Sequence, residues 1–497
     1  MNNASERDVR RILERAFVPR IQIDADEEVT TLVQSLDHKS LAEMLNSYSQ
    51  IGDVTVRHAN SMSHVASNFV IEFLAEETPE YTAAPDDFEG ILADILSDTS
   101  RTEVNGVFEE WLSSIVSPTD KPPFETLNHP VASVLAVSSK TQDPIEAFRR
   151  MIEKSCAPES ITPYISNDYL RILLFVHDED TLAERATLEF EKIKQEFGSC
   201  CFKLSLGTSN HVVNDENISQ AVKDITLTAV VPFMEECLRI WNEQVNSSRQ
   251  GLASRLFTVS KRYLNTPVKL NKNVLRIAAQ NITKKTSNAQ DPIAPPGTTR
   301  GNYYVDDRYY FYASSEAQLR KLADFAVMLR DYKTAFSILD ALKKDFLSDK
   351  AWGYLAAAQE MAAVVYLASR TSMLSLKSFT NTIEPLLDSA VYSYISRCHL
   401  PGRALRAILS TVELIASSEC EPLVASQAAT WLLKVDTESL VGGAGVVMIR
   451  QRIANLYVQQ NRQYPDSSPY ALILTPHYVS PSSSSVLKLQ TTTHILA

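Results

Sequence analysis

The segment YLRILLFVHD, residues 169–178, is apolar almost throughout and shows no alternation of polar and apolar positions. A strand with one wet face alternates with period two, so a continuous run of this length reads as a strand covered on both sides. The helical pattern DTLAERATLEFEKIKQEF (180–197) follows it directly. The same pairing occurs on either side. VASVLAVSS (131–139) precedes DPIEAFRRMIEK (143–154), and CCFKLSL (200–206) precedes ISQAVKDITLTAVVPFMEECLRIWNEQV (218–245). Apolar strands alternating with helices predict a parallel sheet with helices on both faces.

Around this centre, residues 1 to about 120 read as mixed helix and loop, with helical spacing in DDFEGILADIL (86–96) and VFEEWLSSIV (107–116). The stretch SNAQDPIAPPGTTRGNYY (287–304) reads as a loop, with Pro and Gly at turn positions. From Ser315 onward the pattern is almost wholly helical. Ser315 and Gln318 form a candidate capping box. Ala323, Ala326, Ala335, Leu339 and Leu342 fall at offsets of one degenerate tetratricopeptide unit, and further helices follow in series, the pattern of an α-solenoid. The expected division is an α/β domain over 1–247, a basic amphipathic helix and linker over 248–300, an α-solenoid over 301–475 and a Ser-rich disordered tail over 476–497.

Composition narrows the function classes. With 497 residues the chain has room for about two to four domains. The 48 Lys and Arg against 60 Asp and Glu leave a net charge of −12, which argues against general nucleic-acid binding. Only 13 glycines disfavour a fold built on glycine-rich loops. The six cysteines are scattered without zinc-site spacing, as suits a reducing compartment. The N-terminal MNNASERDVRRILERAF lacks the apolar core of a signal peptide. No apolar run reaches the roughly 18 residues of a membrane span. AAAQEMAAVVYLA (356–368) is broken by Gln359 and Glu360. The expectation is a cytosolic protein.

An α/β domain invites a search for nucleotide machinery. A phosphate-binding turn needs glycines so that backbone amides can approach, and a Lys for the terminal phosphates. The turns after the three strands begin KTQDP, DEDT and GTSN, and none fits. His177 and Asp178 sit at a strand end, a frequent functional position in such sheets. With no nucleophile motif beside them, His177 reads as closing the strand and Asp178 or Asp180 as capping the next helix. His129 before Pro130 reads as a loop residue. Cys200 and Cys201 read as packing residues facing opposite sides of a strand.

From Gln244 to Gln290 there is no Asp or Glu, while Arg249, Arg255, Lys261, Arg262, Lys269, Lys272, Arg276, Lys284 and Lys285 fall in the same span. At 100° per residue, Leu252, Leu256, Val259 and Tyr263 share a narrow arc, widened by Phe257 and Leu264, while Arg255, Lys261 and Arg262 lie opposite. A helix with one apolar and one purely basic face suits an anionic membrane surface, each cation contributing about 1 kcal/mol. Packing on the protein's own core, or on an acidic partner, would use the same pattern.

HPVASVLAVSS, DPIEAF, YLRILLFVHD, WNEQVNSSRQGLASRLF and the long motif over 314–364 together resemble the family of the TRAPP III-specific subunit of the transport protein particle complex. The resemblance implies a degenerate GTPase-like domain followed by a helical solenoid. It implies no enzymatic activity of the chain's own and no cofactor. Its implied partners are core TRAPP subunits and, through the complex, a Rab1/Ypt1-type GTPase whose nucleotide exchange the complex catalyses. Location on Golgi and preautophagosomal membranes, in vesicle transport and autophagy, is implied as well. Members are usually longer and continue into β-sandwich modules. The alternatives are a solenoid adaptor without membrane contact and a nucleotide-binding α/β enzyme.

Overall fold

A computed structural model describes residues 11–75, 88–97, 104–117, 120–155, 162–165, 169–178, 183–206, 215–245, 299–300 and 302–463. They fall into two compact units that interleave along the chain. One is built from Val18–Tyr81 and Lys121–Thr334, the other from Met1–Phe17, Thr82–Asp120 and Ala335–Ala497.

The first unit is the expected α/β sheet. Its strands are β1 (Arg20–Ala25), β2 (Gln50–Arg57), β3 (Ser63–Val70), β4 (Glu72–Ala75), β5 (Ala132–Ser138), β6 (Leu170–Asp178) and β7 (Cys201–Leu206). Five of them form one all-parallel sheet in the order β4-β1-β5-β6-β7, while β2 and β3 pair as an antiparallel hairpin. Every residue of β5 and β6 is buried, as their continuous apolar runs require. Leu135, Val137, Leu173 and Phe175 meet Phe148, Ile152, Phe190 and Phe197 from the helices Pro144–Ser155 and Ala183–Phe197. Residues of the opposite parity, Val134, Ala136, Ile172 and Leu174, are equally buried, and the helices Glu27–Ser35 and Asp215–Ile225 pack against β5 and β7. Burying an apolar side chain of this size stabilises by about 1.5–3 kcal/mol, so these two layers set the stability of the unit.

Three expectations are corrected here. The N-terminal 120 residues contain strands as well as helices: β1 is RIQIDA and β4 is EFLA. Both are short and only partly buried, so neither shows the continuous apolar signature of β5 and β6. Asn46 closes the outer edge of β4, its side-chain amide donating to the Phe73 carbonyl and accepting from the Phe73 N–H, both at 2.8 Å. The stretch read as a loop ends in a small antiparallel meander, β8 (Thr299–Arg300), β9 (Tyr303–Tyr304) and β10 (Tyr309–Tyr310). The helix Ser315–Met328 is capped by Ser314 rather than Ser315, the Ser314 hydroxyl accepting from the Ala317 N–H at 3.3 Å.

The helix Val231–Val245 continues from Asp215–Ile225 through a π-helical turn, Thr226–Val230. Pro232 has no N–H to donate to the preceding turn, and the widened turn absorbs that defect.

The second unit is helical. Trp352–Ala368, Glu384–Tyr392, Pro401–Ala416, Pro422–Thr437 and Gly443–Gln463 pack as successive neighbours, joined by the N-terminal helices Phe88–Ser97 and Val104–Val116. The two N-terminal helices occur where their spacing placed them. Of the residues at tetratricopeptide offsets, Ala335, Leu339 and Leu342 belong to this unit and Ala323 and Ala326 to the first, and all five are fully buried. Trp352–Ala368 is buried nearly all round, and Glu360 within it is 2% exposed. Its carboxylate accepts from Arg406 at 2.7 and 2.8 Å and from the Tyr394 hydroxyl at 2.7 Å, which pins three helical segments in register. Among the described residues no helix is long and apolar enough to cross a membrane.

Glu89 makes a second such anchor. Its carboxylate accepts from the N–H groups of Gly442 at 3.1 Å and Ala444 at 2.7 Å, at the start of Gly443–Gln463. A Cβ on Gly442 would lie 2.7 Å from the Glu89 carboxyl carbon, so any larger residue there would push this carboxylate out of its present position.

Candidate functional site

In an open parallel sheet, ligands bind beyond the carboxyl ends of the strands, where neighbouring connections leave in opposite directions. In the order β4-β1-β5-β6-β7 that point lies between β1 and β5. Asp26, the residue after β1, caps the helix Glu27–Ser35 by accepting from the Val29 N–H at 2.8 Å. The same carboxylate accepts from the Ser138 N–H at 3.1 Å and the Thr141 hydroxyl at 2.7 Å, both at the end of β5. The Asp26 N–H donates to the Ala136 carbonyl at 3.0 Å.

The helix N-terminus and backbone amides that would hold a phosphate therefore hold a carboxylate of the chain itself. Glu27 and Glu28 in the first turn of the helix add further negative charge, and the turn has no glycine. A nucleotide phosphate would have to displace Asp26 and face two more acids.

The end of β6 is closed in the same manner. Asp178 is fully buried and pairs with Lys140 Nζ at 2.5 Å, while its N–H donates to the Ser139 hydroxyl at 3.2 Å. Asp178 is thus the last residue of β6 and tethers the β5 turn, while Asp180, the other residue expected as a cap of the next helix, lies outside the described residues. His177 is buried beside it, in register with Ser205 of β7. Cys200 and Cys201 are buried, and burial pushes their thiols up to about 11 and about 12, far from the range of a reactive thiolate.

A buried polar network lies on the helix Ser315–Met328, which packs against Val231–Val245. Arg320 and Asp324 are both fully buried. Arg320 Nε donates to both Asp324 oxygens at 3.1 Å, and Nη1 donates to the Phe124 carbonyl at 3.2 Å. Asp324 also accepts from the Thr126 N–H at 3.0 Å and hydroxyl at 2.7 Å. These bonds tie down the Pro-rich strap 121–130. His129, expected as a loop residue, lies in the strap but is only 5% exposed. Burial, with the Lys321 ammonium adding to it, pushes its imidazole down to about 3. Sequence reasoning missed Asp26 and Asp324. The first had a readable signal, an Asp followed by two acids before an apolar helix. The second had none, since charges at these positions read as a wet face.

The residues expected to meet a membrane, Leu252, Arg255, Leu256, Phe257, Val259, Lys261, Arg262, Tyr263 and Leu264, lie outside the described residues.

The sequence matches the profile of a family described as the ER-Golgi trafficking TRAPP I complex 85 kDa subunit, over residues 13–217 and 212–419. It is 27% identical to transport protein particle subunit trs85-2 of Schizosaccharomyces pombe, across 67% of this chain and 56% of that protein. It is 23% identical to trafficking protein particle complex III-specific subunit 85 of Saccharomyces cerevisiae, across 58% of this chain and 44% of that one. With human trafficking protein particle complex subunit 8 the identity is 20%, across 95% of this chain and 39% of the other. The chain spans about half the length of these relatives or less. The profile covers most of the sequence, and the chain belongs to the family of the 85 kDa TRAPP subunit.

Proposed function

We propose that this chain is a non-catalytic scaffold subunit of the TRAPP III form of the complex. In that role it joins core TRAPP subunits and directs their exchange activity on a Rab1/Ypt1-type GTPase to Golgi and preautophagosomal membranes, in vesicle transport and autophagy. The observation that supports a scaffold over an enzyme is the sheet edge sealed by Asp26: the place where this fold would take a nucleotide is occupied by the chain's own carboxylate. The membrane role rests on the acid-free basic span and on the amphipathic pattern of its sequence over 252–264, which suits a peripheral hold on anionic lipid.

Vesicle flotation tests the membrane role. The double variant Leu256→Asp, Phe257→Asp is expected to lose binding to anionic, Golgi-like vesicles, because it places two charges on the lipid face. Undiminished flotation removes the membrane role. Purification of the full chain with core TRAPP subunits, followed by an exchange assay on the GTPase, tests the scaffold role separately.

A further inference from the structure

The helical unit exposes a group of residues that neither the sheet edge nor the basic span uses. Helix Glu384–Tyr392 runs into a π-helical turn, Ser393–Cys398, which ends at His399 in the left-handed region with φ 57°. Single π-turns cost hydrogen-bond quality and recur at functional positions. This one carries Arg397 outward over the side chain of Trp352, its guanidinium carbon 3.8 Å from the indole centroid and 5.5 Å from the Tyr392 ring. Trp352 begins the helix Trp352–Ala368, which has no side-chain cap and no acid in its first turn. The preceding turn adds Leu347, 56% exposed, and an exposed Lys350, whose N–H donates to the Leu347 carbonyl. Tyr392 is 55% exposed.

Stacking leaves the edges of a guanidinium free, and those edges carry its donors. Among the described residues Arg397 has no carboxylate within ion-pair distance, whereas Arg403, Arg406 and Arg452 of the same unit each hold one. Its close approach to the indole restrains the side chain, so a bidentate carboxylate contact loses less side-chain freedom on forming. Trp, Tyr and Arg side by side, with exposed aliphatic surface at the margin, are the residue types that dominate protein interfaces.

We propose that Leu347, Lys350, Trp352, Tyr392 and Arg397 form a docking surface for an acidic segment of a partner protein. A carboxylate would bind Arg397, and a neighbouring apolar side chain would rest against Tyr392. Charge complementarity selects this occupant: on a chain of net charge −12 the surface presents Arg397 and Lys350, while Asp349 beside Lys350 is already engaged in an interaction of its own. Two cations are too few to hold a protein of that charge on an anionic leaflet, and a guanidinium resting on an indole suits a planar carboxylate better than a mobile headgroup. The surface is independent of residues 252–264.

The test uses the full chain, wild type and Arg397→Glu, against a random peptide library, with anionic vesicles as a second arm. The expected result is enrichment of peptides that combine Asp or Glu with an apolar residue. Arg397→Glu should weaken a recovered peptide by about thirtyfold or more, the loss of a central interface arginine. Arg397→Lys keeps the charge but not the fork and should fall between. Lys350→Glu, outside the aromatic stack, should weaken the same peptide to a smaller extent. Both positions are exposed, so the melting temperatures of all three variants should stay near that of wild type. The proposal is overturned if no acidic enrichment appears, or if the recovered peptides bind Arg397→Glu as they bind wild type. It is equally overturned, in favour of lipid, if Arg397→Glu loses vesicle binding while no acidic peptide is recovered.

Discussion

In the α/β unit, Asp26 draws its donors from a helix N-terminus and from the end of the adjacent strand, and so fills the place where the fold would receive an anion. In the helical unit, Glu360 draws its donors from two other helical segments, and Glu413 accepts from Arg452 at 2.7 Å in the same manner. The first arrangement removes a binding site, and the second fixes how helices stack. Having matched its buried charges internally, the helical unit leaves Arg397 exposed over the Trp352 ring, with Tyr392 nearby. On the readings proposed above, binding falls to helical surfaces that the fold class does not mark rather than to the sheet edge, where the fold class would place it.

The comparison breaks most visibly at Glu360. Glu360→Ala leaves Arg406 charged at 3% exposure without its partner, a loss of about 3–5 kcal/mol in denaturant unfolding. Replacing the trio together, as Glu360→Leu, Arg406→Met, Tyr394→Phe, is expected to recover most of that loss, because desolvation then no longer opposes burial. A triple variant as unstable as the single one would mean that the network contributes net stability rather than register.

At the sheet edge the effect is smaller. Asp26→Ala removes a helix cap and two further hydrogen bonds, together about 2–3 kcal/mol. Glu27 and Glu28 remain in place, so calorimetry with GTP or ATP should detect no binding to wild type or variant. Micromolar binding to wild type would overturn the account of this edge as closed and revive the reading of the chain as a nucleotide-binding enzyme.

What could be read from the sequence follows from how each element is buried. β5 and β6 lie between two helical layers, so their residues are uniformly apolar and legible. β1 is also interior to the sheet, but its burial is partial, and RIQIDA looks like many loop–strand mixtures. β4 has only four residues. The helix Ser315–Met328 was legible as a helix, yet Arg320, Lys321 and Asp324 look like a wet face in the sequence, because a partner 198 residues away, Thr126 for Asp324, is not visible to a periodicity argument. The same blindness concealed Arg397: a lone arginine near the end of a helix is ordinary until the fold brings Trp352 beneath it.

His129 carries the same lesson into a pH dependence. It sits in a Pro-flanked strap, which reads as exposed loop, but its imidazole is buried and held neutral down to about pH 3. In the unfolded chain it titrates near 6.5. The folded value lies below the unfolded one, so as pH falls through 6.5 the unfolded state takes up a proton that the folded state refuses. Stability is complete above that point and declines as pH falls toward about 3, with a slope near 1.4 kcal/mol per pH unit, or about 2 kcal/mol by pH 5. Carboxylates titrate in the lower part of this range, so the measurement is a difference between wild type and His129→Gln, followed by denaturant unfolding from pH 7.5 to 5. Wild type should lose about 2 kcal/mol more than the variant. Parallel curves would show that the imidazole is not held neutral. Lys321→Met sharpens the outcome. Burial is the larger cause and persists, but removing the ammonium lets the imidazole ionise at higher pH, so the decline by pH 5 should be shallower than in wild type.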